Sequence, residues 1–362
     1  MLRDIIIKKI QTGGPLSFHD FQEMCLYYPE LGYYTSSKEK IGTGGDFYTS
    51  ATVTPAFGAM IARQLEEMWE CLGKDNFIIV EYGAGTGALC HDILETLKKN
   101  EAFYNNLQYV IIEKSPTLAA LQQSRLNEKV SWKDSINDIA PFNGCVFCNE
   151  LLDNFSVHQV VMQDKLMEVF VDYDNGFKEF LLPAGEALIN YFRELNIVLA
   201  KGFRTEVNLE AIEWINEIAG SLEKGFVCTI DYGDNATNLY RESRKDGTML
   251  CYYKHNRNEE PYERIGEQDI TSHVNFTAIA LWGKKAGLDV AGFTSQSNFL
   301  QGLGFTEYLN QSAAGDMHAL ATMSRVKYSM LVDMGMKFKV LIHSKGIEKK
   351  ELMGLQYPGL SL

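Results

Sequence analysis

The stretch Phe77-Ile-Ile-Val-Glu-Tyr-Gly-Ala-Gly-Thr-Gly-Ala-Leu89 runs from four apolar residues through a carboxylate, Glu81, into glycines at Gly83, Gly85 and Gly87. Glycine carries no Cβ and adopts left-handed dihedrals. A strand that turns through glycines into a helix can therefore bring its backbone close to a nucleoside-bearing ligand at the carboxyl end of a parallel sheet. The spacing is G-x-G-x-G, with Ala88 in place of the third glycine of the dinucleotide fingerprint. That moves the expected cofactor from a nicotinamide dinucleotide to S-adenosylmethionine (AdoMet).

Further polar residues close the strands that follow. Tyr109-Val-Ile-Ile-Glu113 ends in a carboxylate able to accept two ribose hydroxyl hydrogen bonds. Asp134, after Val130-Ser-Trp-Lys133, is placed to reach the adenine amino group. Asn149 and Glu150, after Cys145-Val-Phe-Cys148, are expected beside the sulfonium and the methyl acceptor. A lone carboxylate after a strand is commonly a solvated loop residue; several after one glycine turn make a site.

Asn149-Glu-Leu-Leu-Asp-Asn-Phe155 is the expected acceptor segment. Glu150 and Asp153 are spaced to face the same way on a helical turn. A guanidinium stays protonated and pairs with carboxylates in bidentate fashion, so an arginine acceptor suits the pair. Methyl transfer requires alignment of acceptor, methyl and sulfur, and an exit for one proton. His273 is the expected proton acceptor, against the plainer reading of a structural hydrogen bonder at a helix start.

The elements that must position these residues follow from hydrophobic periodicity. Short apolar runs at 77–80, 109–112, 130–132, 145–148 and 226–230 alternate with helical stretches near 88–99 and 116–126. This is the signature of an α/β, doubly wound, Rossmann-like parallel sheet. Residues 1–70 read as helical, interrupted by Gly42-Thr-Gly-Gly-Asp-Phe-Tyr-Thr-Ser50, which is either a connector or a backbone close to a ligand. Strand-like runs at 157–162, 166–171 and 177–182, the last two joined at Asp174-Asn-Gly176, form an inserted β-rich subdomain. Residues 233–270 read as polar loop, and a helix is expected from Thr271. The expected division is therefore 1–70, a core of 71–154 with 226–345, an insertion at 155–225, and a tail at 346–362.

The chain has 362 residues, with 34 Lys and Arg against 47 Asp and Glu, a net charge of −13. Such a surplus repels phosphate backbones, so nucleic acid is not an expected partner. Seven scattered cysteines suit reduced thiols, and Cys145 and Cys148 lack a second pair at zinc spacing, so no metal is expected. No stretch approaches the ~18 uninterrupted apolar residues of a membrane span, and no targeting segment is legible; the expected location is the cytoplasm.

The order of several motifs resembles the MidA family, the DUF185-type class I methyltransferases whose mitochondrial members are complex I assembly factors and arginine methyltransferases. The stretches that carry the resemblance are Gly44-Gly-Asp-Phe-Tyr-Thr-Ser50, Val80-Glu-Tyr-Gly-Ala-Gly-Thr-Gly87, Asn149-Glu-Leu-Leu-Asp153, Ile230-Asp-Tyr-Gly233, the run from Asp246 to His255 and that from Gly266 to Phe276. The resemblance implies AdoMet at the Gly83–Gly87 turn and Glu113, adds Gly45 and Asp46 to the cofactor residues, and implies a protein acceptor bearing arginine. Asn275 stands where the family commonly has an acid. Two other readings are an AdoMet-binding assembly protein with little catalysis and a nicotinamide-dependent oxidoreductase. Oligomeric state is not legible in the sequence.

Overall fold

The computed structural model describes residues 1–36, 53–126, 129–312, 317–348 and 351–362. The chain forms two compact units, one of Met1–Phe47, Leu152–Trp214 and Gly233–Leu281, the other of Tyr48–Leu151, Ile215–Tyr232 and Trp282–Leu362.

The second unit holds the expected sheet. Its strands are β1 (Phe77–Tyr82), β2 (Leu107–Ile112), β3 (Val130–Lys133), β4 (Phe142–Asn149), β5 (Leu222–Asp234), β6 (Asp289–Ser295) and β7 (Phe338–Lys345), and the last two residues of β5 belong to the first unit. The spatial order is β3-β2-β1-β4-β5-β7-β6. Strands β1 to β5 run parallel, so their carboxyl ends share one edge, while β7 lies antiparallel between β5 and β6. The central strands are mostly apolar, as expected of a parallel sheet covered on both faces, with Glu81 and Asp231 as buried exceptions. Helices α1 (Pro55–Cys71) and α2 (Ala88–Leu97) pack together, and Phe57, Met60, Met68, Ile93, Tyr109 and Phe147 sit in one core with them. Helix α3 (Pro116–Arg125) is capped by Ser115, whose hydroxyl accepts from the Leu118 amide.

The first unit is built on a five-stranded sheet. Strand Leu166–Tyr173 pairs with Phe177–Pro183, with His158–Met162 and with Leu16–Ser17, and Arg204–Val207 closes the row. The expected hairpin at Asp174–Gly176 is present, with Asn175 at φ 54. Helices Leu2–Gly13 and Phe18–Tyr27 bury Ile6, Ile10, Phe18 and Phe21 against this sheet.

The observed division differs from the expected one in several places. Met1–Phe47 shares a unit with the insertion, and residues 215–225, expected in the insertion, fall in the sheet unit. Residues 55–70 belong with the sheet because α1 supplies its apolar cover. Residues 233–281 belong with the insertion: the polar stretch read as loop contains a three-stranded sheet of Leu250–Tyr253, Asn256–Asn258 and Asp269–Thr271. The turn between its first two strands places Lys254 and His255 at φ 48 and 62 without glycine, so no turn signature marks it in the sequence. Residues 351–362 pack onto the sheet unit, where the Met353 amide donates to the Glu67 carboxylate at 3.0 Å and Leu352 is buried. The helix expected from Thr271 begins at Phe276; its first turn is closed by Asn275, whose Oδ1 accepts from the Ala278 amide at 3.2 Å.

Among the described residues no helix is long and apolar enough to cross a membrane. None of their His, Cys, Asp and Glu side chains form a group of three or more able to hold a metal. Cys145 and Cys148 are fully buried, which pushes both thiols up.

Candidate functional site

The glycine turn connects β1 to α2. Gly83, Gly85 and Gly87 have φ of 66, 54 and 79, the left-handed region in which a side chain is strained. A Cβ on Gly83 would lie 2.8 Å from the Leu151 side chain, and one on Gly87 would lie 3.2 Å from that of Leu126. Backbone bonds fix the turn, from the Gly83 amide to the Ile112 carbonyl at 3.0 Å and from the Gly87 amide to that of Ala84 at 2.8 Å.

Glu113 follows β2 directly. Its Oε1 accepts from the Ser115 amide at 2.9 Å and its Oε2 from Gln122 Nε2 at 3.0 Å. Gln122 is completely buried; the same amide nitrogen donates to the Gly85 carbonyl at 2.9 Å, and its oxygen accepts from Trp132 Nε1 at 3.0 Å. One residue of α3 thus joins the glycine turn to the Glu113 carboxylate. Burial raises the Glu113 carboxyl above its ordinary value, while the Ser115 and Gln122 donors pull it down.

Glu81 occupies a different position from the other strand-end acids. It lies within β1 and is 3% exposed, accepting from the Tyr109 hydroxyl at 2.7 Å. Burial pushes its carboxyl up to about 8. Its described hydrogen bond runs within the sheet, to β2. Asp134 follows β3 as expected and is exposed.

At the end of β4, Asn149 Nδ2 donates to the Glu150 carboxylate at 3.1 Å. Asn149 Oδ1 is buried and accepts no hydrogen bond among the described residues. Glu150 has φ 56, a left-handed conformation that is costly for a side chain of this size, and its amide donates to the Ile230 carbonyl at 2.9 Å. The adjacent Leu151 amide donates to Asp231 Oδ2 at 3.1 Å, and Asp231 is completely buried. Asp231 was absent from the expected site, although its position at the end of an apolar run is the signal that marked the other acids. Gln122 carries no such signal, because nothing in a helical sequence shows which loop its side chain meets.

The acceptor pair is not brought onto a helical turn. Glu150 precedes the short 3-10 turn Leu152–Asn154 in a left-handed conformation, and Asp153 belongs to the other unit. There Asp153 is buried, and its carbonyl accepts from the Ser272 amide at 3.2 Å. Near it in sequence, Asn154 Oδ1 accepts from the Tyr34 hydroxyl at 2.8 Å, and the same hydroxyl lies 2.9 Å from both oxygens of the buried Asp269. His273 lies between the strands Asp269–Thr271 and Val274–Asn275, not at a helix start. Gly45 and Asp46 lie outside the described residues.

These residues fit AdoMet. The glycine turn presents backbone without side chains at φ of 54 to 79, Glu113 presents a held carboxylate able to accept from a ribose, and the buried Asn149 Oδ1 calls for a hydrogen-bond donor.

Comparison with known proteins agrees. The Drosophila melanogaster protein named protein arginine methyltransferase NDUFAF7 homolog, mitochondrial, is 24% identical over 94% of this chain and 84% of its own length. The Homo sapiens protein named protein arginine methyltransferase NDUFAF7, mitochondrial, is 25% identical over 84% of this chain and 73% of its own. A crystal structure from Burkholderia thailandensis, bound to S-adenosyl-homocysteine, superposes with a TM-score of 0.92 at 29% identity, covering 99% of this chain and 95% of that one. A native crystal structure from the same organism gives 0.88 at 30% identity with the same coverage. The family model Methyltransf_28, which describes S-adenosyl-L-methionine-dependent methyltransferases, matches residues 60–294. With its glycine turn, its strand order and this match, the chain belongs to that MidA-type family of S-adenosyl-L-methionine-dependent methyltransferases.

Proposed function

We propose that this methyltransferase acts on arginine side chains of a protein. The observation that carries the reading is Glu150, a carboxylate held on a strained backbone directly after β4 and hydrogen-bonded to Asn149. Strain of this kind persists where the surrounding structure imposes it, and it concentrates at functional positions. The names of the relatives, protein arginine methyltransferase, support the same acceptor.

When bound, AdoMet supplies an electrophilic methyl group on a sulfonium. Glu113 would hold the ribose by hydrogen bonds, and the glycine turn would bind the cofactor through its backbone. Glu150 orients a guanidinium by charge-assisted hydrogen bonds and accepts the proton that leaves as nitrogen is alkylated. Asn149 keeps that carboxylate in place. A cytoplasmic location belongs to the same proposal and is read by cell fractionation.

The experiment is incubation of the purified protein and methyl-labelled AdoMet with lysate of a strain lacking it, followed by hydrolysis of the labelled protein. Methylarginine is the expected product. Label on lysine, or only on small molecules, overturns the acceptor.

A further inference from the structure

We infer that His273 is held as a hydrogen-bond donor with its proton on Nε2, and that Arg244 is the positioning residue that sets this tautomer. Arg244 ends the short turn Glu242–Arg244, and its Nη1 stands 3.2 Å from His273 Nδ1. A guanidinium has five N–H donors and no lone pair. The ring nitrogen facing it must therefore supply the lone pair. In a neutral imidazole with a bare Nδ1, the proton is on Nε2.

The surroundings fix both partners. The His273 amide donates to Thr248 Oγ1 at 3.0 Å, and that hydroxyl donates to Glu206 Oε2 at 2.9 Å. The Thr248 amide reaches the same carboxylate oxygen at 3.0 Å. Glu206 is seated against Gly247, which has φ 89 and on which a Cβ would stand 2.3 Å from Glu206 Oε1. On the other side, Arg244 Nη2 lies 3.9 Å from Asp234 Oδ2, while Asp234 Oδ1 accepts from the Asn235 amide and from Asn238 Nδ2, both at 2.9 Å. The charged groups that these contacts bring to the ring from the described residues are Arg244, Asp234 and Glu206, with the Asp153 segment joined through the Ser272 amide.

The consequence reverses the role expected from the sequence. The one nitrogen of His273 that could take a proton already faces a cation. Protonation there would turn N–H against N–H and set an imidazolium beside a guanidinium, which the Coulomb term opposes. His273 is therefore not the base of the methyl transfer. Its Nε2–H suits an oxygen of the bound acceptor, such as a peptide carbonyl. That use rests on the protein-acceptor reading, while the tautomer does not.

The test is a long-range ¹H–¹⁵N correlation spectrum of protein labelled in its histidine rings, recorded from pH 6 to 8, with His273 assigned by the loss of its signals in His273→Gln. The expected result is a bare Nδ1 and a protonated Nε2 that do not shift across this range. In Arg244→Met the ring is expected to titrate or to populate the Nδ1–H form; in Arg244→Lys, which keeps a cation without a lone pair, it is expected to stay as in the wild type. A proton on Nδ1, a titrating His273 in the wild type, or an unchanged tautomer in folded Arg244→Met overturns the inference. If Arg244→Met does not fold, loss of the tautomer in Arg244→Lys overturns it equally. The measurement needs neither cofactor nor acceptor, so its failure is distinct from an absence of methylarginine.

Discussion

Gln122 donates to the Glu113 carboxylate across 3.0 Å while also reaching the Gly85 carbonyl at 2.9 Å, so α3 sets the distance between that acid and the glycine turn. A hydrogen bond to a charged group contributes about 1.5–3 kcal/mol. Gln122→Leu is expected to weaken AdoMet binding by about tenfold or more, and Glu113→Ala by more still. Calorimetric titration reads both, and an affinity for Gln122→Leu equal to the wild type contradicts the coupling.

The buried Glu81–Tyr109 pair makes stability depend on pH. Burial raises the Glu81 carboxyl from an ordinary 4.5 to about 8, against the pull of the Tyr109 hydroxyl. The folded state therefore binds this proton more tightly than the unfolded chain. The contribution of Glu81 to stability is complete below about pH 4.5 and is lost as the pH rises towards 8. Melting curves of Glu81→Gln are expected to gain on the wild type steadily from pH 5 to 8; parallel curves exclude the shift.

At Gly87 the backbone and the space agree. With φ 79 and the Leu126 side chain 3.2 Å from a Cβ, Gly87→Ala costs about 1–2 kcal/mol in backbone strain alone. The expected outcome is a melting temperature lower by a few degrees together with weaker AdoMet binding. Saturating AdoMet is expected to restore less stability to this variant than it adds to the wild type.

Glu150 stores strain at a site of proposed chemistry. Replacement by glycine relieves the left-handed conformation, so Glu150→Gly is expected to melt no lower than the wild type. Methylation of a protein acceptor is expected to fall at least a hundredfold, as for removal of a proton acceptor. A variant that is unstable yet active would show that the carboxylate is structural.

The sequence by itself determined the sheet and its cofactor edge, because both are written locally. Strand and helix periods alternate from Phe77 to Cys148, the glycines at the turn adopt φ of 54 to 79 without the strain a side chain would bring, and a carboxylate closes the second strand. The tertiary structure decided what depends on residues far apart in the chain. Glu81 and Glu113 are both acids near strand ends, yet one is buried under Tyr109 and the other is held by Ser115 and Gln122, and only packing tells them apart. Residues 233–281 join the insertion through bonds between distant positions, from the Arg204 amide to the Lys245 carbonyl and from the Thr248 amide to Glu206, and the turn of Lys254 and His255 inside the segment carries no turn residues. His273 keeps its place in the sequence, but its protonation follows from Arg244, 29 residues away, whose guanidinium offers the ring only donors.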